Sequence, residues 1–474
     1  MAVLGGGPLG LLTAEAAARG GLRVVWLRSW SEPLASAPPA RPPRWRPARA
    51  AAADAAVVAL AAEGLAAWGA LGDAGRSVDA PYSPLGCLDI AGRGESGDRL
   101  DAVAEAVRGA AGGGAGGLGG ATSLAAGEAA SLVRGLALPR GAGALWLPPE
   151  GSGGGVLDSV AAAAAAQAAA DRAGVALWPD AAAAGWRDKG SHFQVWAALE
   201  GSSSGEGGTA VLEAERLVLV PGPHALSEPG PPRPEDKAGG GEPTTVRVAR
   251  LGCPRFGLSL TDATLRWPAW AVGARGAGST PPGAPGGLPC VFCHGLAPGG
   301  DGPAGGGHEP WVALPTSSST PPLVLRPPGA ALVLPPWPSS DAVRADAAAA
   351  VTAAAAALGP GLLALSRGGG AGAAAAAGGG WAALETADGR PLLGWAPVGI
   401  GTALGREPGR VLLAAGASGG AAGGADALAA APALARAAGR LLCGGGAAVA
   451  FDPARPGAGA VAGPSPLVDT WDGR

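Results

Sequence analysis

Ala2-Val3-Leu4-Gly5-Gly6-Gly7-Pro8-Leu9-Gly10 opens the chain and decides its reading. An apolar run and a G-x-G-x-x-G turn lead into the helix-forming stretch Leu9 to Arg19. A second apolar run follows, Leu22-Arg23-Val24-Val25-Trp26-Leu27. Strand, glycine turn, helix, strand is the order of a dinucleotide-binding βαβ unit. Gly5 would make the tight turn, Gly7 would let phosphates approach the main chain, and Gly10 would let the helix pack closely on the strand. The bare N–H groups of such a helix start suit a pyrophosphate. Gly5, Gly7, Pro8, Leu9 and Gly10 are therefore the candidate phosphate-contacting residues. Glycine as such carries little weight, since 86 of the 474 residues are Gly. The placement between strand and helix carries the reading.

One position departs from the fingerprint. The second strand closes on Arg28, where an acidic side chain usually binds the adenosine ribose. Either the ribose is held otherwise, or a phosphorylated cofactor is preferred, or binding is impaired.

The length allows two domains with real cores. A net charge of −3 gives no basic surface to recommend a nucleic-acid partner. Only Lys189 and Lys237 are lysine. With the Ala, Gly and Pro excess this reads as GC-rich coding bias. Alanine runs such as Ala161 to Ala166 and Ala347 to Ala357 favour helix but are weakly apolar, and none resembles a membrane span. Five cysteines in so long a chain imply no disulfide framework. A soluble protein of a reducing compartment or organelle is expected, with targeting undetermined. The short first strand leaves room for a natural N-terminus further upstream.

Six Gly/Pro/Ser-rich stretches read as low-complexity surface loops: 109–120, 201–208, 228–242, 273–287, 297–307 and 368–380. Between them the periodicity predicts helices over Ala50 to Leu71, Arg99 to Arg108, Val156 to Ala173 and Ala431 to Leu442. It predicts strands at Leu85 to Ile90, Gly174 to Leu177, His192 to Leu199, Arg410 to Ala415 and one ending at Val220. Strand and helix alternate at both ends and strands dominate the middle. The fold class is α/β (α+β overall): a Rossmann-like nucleotide-binding domain with an inserted, antiparallel β-rich domain.

The order of segments resembles the D-amino-acid oxidase superfamily of FAD-dependent oxidoreductases, which includes glycine oxidase and monomeric sarcosine oxidase. Trp68-Gly69-Ala70-Leu71 and then Leu85-Gly86-Cys87-Leu88-Asp89-Ile90 resemble that family's Trp-ended helix and "G-x-L" strand. Gly174-Val175 with Ala183-Ala184-Gly185-Trp186 resembles the segment at the adenosine half of FAD. Leu217 to Val220 followed by Pro221-Gly222-Pro223 is similar to the strand and turn closing over the cofactor. Thr386-Ala387-Asp388-Gly389-Arg390-Pro391 resembles "T-x-D-G-x-P", and Val411 to Ala415 with Gly416-Ala417-Ser418-Gly419 resembles "A-x-G-H-S-G-H-G". Ala431-Pro432-Ala433-Leu434 resembles the start of the last helix.

The resemblance implies non-covalent FAD, with Gly222 near the cofactor and Gly416, Ala417, Ser418 and Gly419 at its flavin end. Residues 1–84, 151–225 and 381–474 would form the FAD-binding domain, and 85–150 and 226–380 the substrate domain. The implied reaction is oxidation of the CH–NH bond of a small amino acid or secondary amine, by hydride transfer to flavin. Oxygen or another acceptor would follow. Arg46-Pro47-Ala48-Arg49 resembles the "R-x-x-R" segment of the sarcosine oxidase branch, which makes Arg46 the flavin neighbour and Arg49 the substrate-carboxylate ligand. The plain reading of Arg41, Arg44, Arg46 and Arg49 is a solvated loop.

Three departures from the family leave a catalytically degenerate flavin-binding or scaffold member as the alternative. Arg28 is one. Val324 stands where the sarcosine oxidase branch has an oxygen-activating lysine, and Ala417 and Gly420 replace the turn histidines. Cys290-Val291-Phe292-Cys293-His294 spells a haem-attachment pattern and, with His308, a zinc set. The competing reading is a plain strand over Leu288 to His294, and no metal is expected.

Overall fold

The computed structural model describes residues 1–5, 7–28, 45–52, 54–73, 80–91, 98–112, 120–132, 143–149, 153–199, 208–220, 390–395, 409–415, 427–445 and 451. It also describes strand segments at 226–227, 245–252, 269–273, 290–293, 310–315, 323–325 and 380–385.

Among these residues, β1 (Ala2–Leu4), β2 (Val25–Leu27), β9 (Ala176–Trp178), β13 (Leu217–Leu219) and β22 (Val411–Ala415) form a parallel sheet. Their order is β22-β13-β1-β2-β9, and β21 (Leu392–Trp395) adds antiparallel beyond β22. Side chains alternate across this sheet. Ala2, Leu4, Leu217, Leu219 and Leu413 pack on one side, Val3, Val218 and Leu412 on the other.

The first side is covered by a meander of β10 (Ala181–Asp188), β11 (Phe193–Leu199) and β12 (Thr209–Ala214). Arg410 ties the base of β22 to this meander. Its Nη1 lies 3.1 Å from Asp188 Oδ1, and its guanidinium sits 4.6 Å above the Phe193 ring. The second side carries α1 (Gly7–Arg19), α5 (Ser159–Arg172) and α6 (Ala427–Leu442), with α2 (Ala55–Asp73) packed on α6. The result is a three-layer nucleotide-binding architecture.

A second, largely antiparallel sheet is built from the middle of the chain. Its order is β14 (Leu226–Ser227), β19 (Leu323–Leu325), β15 (Thr245–Gly252), β18 (Pro310–Pro315), β17 (Cys290–Cys293) and β16 (Ala269–Gly273). It continues through β5 (Cys87–Ala91), β7 (Gly143–Leu147) and β6 (Thr122–Ala125), with β20 (Gly380–Glu385) beside β15. Within this sheet only the β16–β5 pairing is parallel among the described strands. The helix α3 (Asp98–Gly112) packs on β5 and β7, and α4 (Ala126–Leu132) on β6 and β7. A small sheet, β3 (Trp45–Arg49), β8 (Gly154–Asp158) and β4 (Tyr82–Ser83), completes the described strands.

The fold class expected from sequence is present, and several element limits differ. The helix expected from Val156 begins only at Ser159. Asp158 caps it, its Oδ1 accepting from the Val160 and Ala161 amides at 2.9 and 3.1 Å, while Val156 and Leu157 are buried in β8. Alanine favours helix without marking its start; the capping carboxylate marks it. Likewise α2 starts after Asp54, whose Oδ1 accepts from the Ala56 amide at 2.8 Å, and not at Ala50. The strand expected to end at Val220 is two, β12 and β13, because the first half alternates on the meander and the second is buried on both faces. Helix α3 runs to Gly112, into a stretch expected to be loop. The other Gly/Pro-rich stretches lie almost wholly outside the described residues, and the motif around Cys290 is described only as β17.

One contact joins the two ends of the helical layer. Trp68 is fully buried, and its indole N–H donates to the Leu428 carbonyl at 2.8 Å. In an α-helix that carbonyl would accept from residue 432, which is proline and has no N–H. Trp68 supplies the missing donor. Helix α2 approaches closely here: a Cβ on Gly64 would fall 2.0 Å from the Ala429 oxygen. Trp68→Phe is expected to cost about 1–3 kcal/mol of stability. Pro432→Ala restores the backbone donor, so the double variant should recover part of that loss in urea melts. Strictly additive losses would contradict this account.

Candidate functional site

Strands β1, β13 and β22 run parallel in register, Leu4 beside Leu219 and Leu219 beside Leu413, so all three end on one edge of the sheet. Ligands of open α/β sheets bind at this carboxyl edge. The turn after β1 is fixed by close backbone approach. Gly5 has φ +138°, and a Cβ there would fall 2.0 Å from the Val220 oxygen at the end of β13. Its N–H donates to the Leu27 carbonyl at 3.2 Å, and its own carbonyl accepts from the buried Trp26 indole at 2.9 Å. Gly10 is buried beneath this turn, where a Cβ would meet the Gly5 oxygen at 2.5 Å and Trp26 Nε1 at 3.2 Å.

Gly7 differs from both. It begins α1 at φ +76°, is exposed, and has no atom within 4 Å of where a Cβ would sit. Pro8 and Leu9 are half-buried, and the first turn of α1 carries no acidic residue. An open, positively polarised helix start over a glycine fits the pyrophosphate of a dinucleotide. Arg28 follows β2 half-buried, and its backbone N–H donates to the Ala181 carbonyl at 3.1 Å.

The Arg46–Arg49 segment is not a solvated loop. It is β3, in which Arg46 pairs with Leu157 and Arg49 with Gly154. The Arg46 side chain lies outside the described residues. Arg49 is 4% exposed, and its Nη1 is 3.1 Å from Oδ2 of Asp89, itself 1% exposed. The pair joins the small sheet to the large one. Asp89 was not singled out from sequence, although an acid inside the apolar strand Leu88-Asp89-Ile90 signals a buried charge that needs a partner.

Cys87 lies two residues from Asp89 on the same face of β5. Burial pushes its thiol up to about 12 from 9.0, with Arg49 opposing and Asp89 adding to the shift. Burial also raises the Tyr82 phenol well above its ordinary range. Across the fold, Arg390 forms an ion pair with Asp54 and so ties the start of β21 to the cap of α2. Val324 lies on β19, paired with Ser227 and Thr245. Gly222, Gly416, Ala417, Ser418 and Gly419 lie outside the described residues. Among the described residues no cluster of three His, Cys, Asp or Glu could hold a metal, and no helix is long and apolar enough to cross a membrane.

Solved structures share this arrangement along nearly the whole chain. L-proline dehydrogenase from P. horikoshii is 14% identical with a TM-score of 0.60, over 96% of each chain. Glycine oxidase from Geobacillus kaustophilus is 16% identical with a TM-score of 0.59, over 96% of this chain and 98% of its own. NikD, an unusual amino acid oxidase essential for nikkomycin biosynthesis, is 17% identical with a TM-score of 0.59, over 94% of each chain. The chain shares the fold of these amino-acid oxidases and dehydrogenases. No protein-family model matches the sequence, and neither does any curated protein. At these identities the likeness establishes the fold alone.

Gly5 and Gly7 of the turn after β1 should separate by experiment. Gly7→Ala adds only left-handed strain, about 1–2 kcal/mol, but fills the open position; it should weaken FAD binding far more than it lowers the apoprotein melting temperature. Gly5→Ala forces the Val220 backbone aside and should lower apoprotein stability by about 3 kcal/mol. FAD titration and thermal melts of both variants check this, and equal effects on both readouts would argue against it. The Cys87 shift gives a second test. A thiol raised in the folded state binds its proton more tightly there than when unfolded. Stability is therefore complete below pH 9.0 and falls as pH climbs toward about 12. Cys87→Ala should flatten that alkaline decline in urea melts.

Proposed function

We propose that the protein is an FAD-dependent oxidoreductase that oxidises the CH–NH bond of a small amino acid or secondary amine. The observation that carries this reading is the unfilled space over Gly7 at the start of α1, at the carboxyl edge of a sheet whose fold it shares with amino-acid oxidases and dehydrogenases. Gly5, Gly7, Pro8, Leu9 and Gly10 would hold the diphosphate of non-covalent FAD, with Arg28 at the adenosine ribose. Gly222 would lie along the cofactor, and Gly416, Ala417, Ser418 and Gly419 would line its flavin end.

Bound FAD supplies the two-electron acceptor for a hydride leaving the carbon that bears the amine. The protein's part is to bind and orient. Arg46 is assigned beside the flavin and Arg49 at the substrate's carboxylate, where a fixed cation holds the C–H in place. The substrate nitrogen releases one proton to solvent as the C=N bond forms, and water hydrolyses the imine to a carbonyl compound and ammonia or a primary amine. The residues 1–84, 151–225 and 381–474 would serve the cofactor, and 85–150 and 226–380 the substrate. Oxygen or another carrier would reoxidise the flavin.

A second reading is a catalytically silent member of the same fold, and Arg28 at the ribose position favours it. One experiment separates the two. The purified protein should absorb near about 450 nm, and anaerobic mixing with glycine, sarcosine, proline or D-amino acids should bleach that band for at least one of them. A preparation that stays colourless after FAD is added would establish the silent reading.

A further inference from the structure

Within the turn that follows β1, the Gly5 carbonyl is held by a side chain. Gly5 stands two residues ahead of α1, outside the helical hydrogen-bond ladder. Strand β2 holds it through two successive residues. The Leu27 carbonyl accepts from the Gly5 N–H at 3.2 Å, a backbone bond that any residue at position 27 would make. The indole of Trp26, 6% exposed, donates to the Gly5 carbonyl at 2.9 Å, and this bond needs a side chain with a donor at that reach. The oxygen so held lies beneath the turn. A Cβ on buried Gly10 would meet it at 2.5 Å and Trp26 Nε1 at 3.2 Å. The carbonyl thus points its negative end inward, away from the open space over Gly7.

We propose that Trp26 is a positioning residue for the cofactor's diphosphate, its indole N–H pinning the Gly5 carbonyl under the turn and out of the anion's place. This inference rests on the functional reading above. Glycine permits more than one orientation of its peptide groups. Without the indole donor, the Gly5 carbonyl would be left buried and unsatisfied, and turning toward the carboxyl edge would solvate it. An oxygen on that rim faces an incoming phosphate and opposes the positive helix start. Ligands that carry the diphosphate therefore depend on the Trp26 donor, and ligands without phosphate do not.

The test reads ligand binding to the apoprotein, not turnover. Benzothienylalanine, in which sulfur replaces the indole N–H, is placed at position 26 alone; it keeps the ring's shape and removes the donor. FAD and ADP, which share the diphosphate, are titrated by calorimetry beside adenosine, which has none. The isostere should bind FAD and ADP each at least about tenfold more weakly, with adenosine unchanged. A Trp26 that serves packing alone would leave all three as they are or shift them together, and either result overturns the inference. Should the isostere not fold, Trp26→Phe gives the same comparison. A loss for FAD and ADP that exceeds the loss for adenosine supports the inference, and equal losses overturn it. Unaltered protein that takes up neither FAD nor ADP sinks the functional reading and this inference together. Protein that binds FAD equally well with and without the indole donor sinks the inference alone.

Discussion

The structure depends on the crossing of two backbones at Gly5. There β1 turns into α1 while the end of β13 passes so close that no side chain could stand between them, and Val220 donates its N–H to the Leu4 carbonyl at 2.8 Å. Trp26 braces the crossing from β2 by donating to the Gly5 carbonyl. With the turn fixed, α1 can only leave the sheet in one direction, its first amides facing the carboxyl edge. The site is thus a by-product of strand packing. The residues that hold the turn, Gly5 and Gly10, are filled in by neighbours; the one that would serve a ligand, Gly7, is not.

The same economy runs through the helical layer. Buried positions on α5 are Ala162, Ala166, Ala169 and Ala170, and α6 buries a run of alanines beside Leu434, Leu441 and Leu442. Small side chains bring helix axes close and make up in backbone proximity some of what they lack in apolar area. The cost is intolerance. Where Gly64 meets Ala429, a single methyl group has nowhere to go.

Much of this was legible in the sequence, for identifiable reasons. The βαβ start, the strand before Gly416 and the last helix could be read because glycine punctuation and apolar runs coincide there. The helix start at Asp54 was blurred because alanine on both sides of a cap has uniform propensity, and that at Asp158 because Val156 and Leu157 join the alanine run in one apolar stretch. The split between β12 and β13 depends on which layer each half meets, which periodicity alone does not show. The burial of Arg49 was not legible, since a Pro/Arg-rich segment reads as surface until β8 is seen to pair with it. Asp89 is the clearest omission. A carboxylate between Leu88 and Ile90 announces a partner, and only the pairing of sheets distant in sequence reveals which.

The link between Trp68 and Leu428 spans 360 positions of the chain. During synthesis the apolar flanks of α1 and α2 emerge early, whereas α6, which covers both, comes from the far end of the message. At ribosomal speeds the wait between them is roughly 20–80 s. Throughout that interval a half-built α/β unit presents its unfinished sheet and bare helical surfaces to the cell. Premature termination before α6 would leave a product that cannot close its own core.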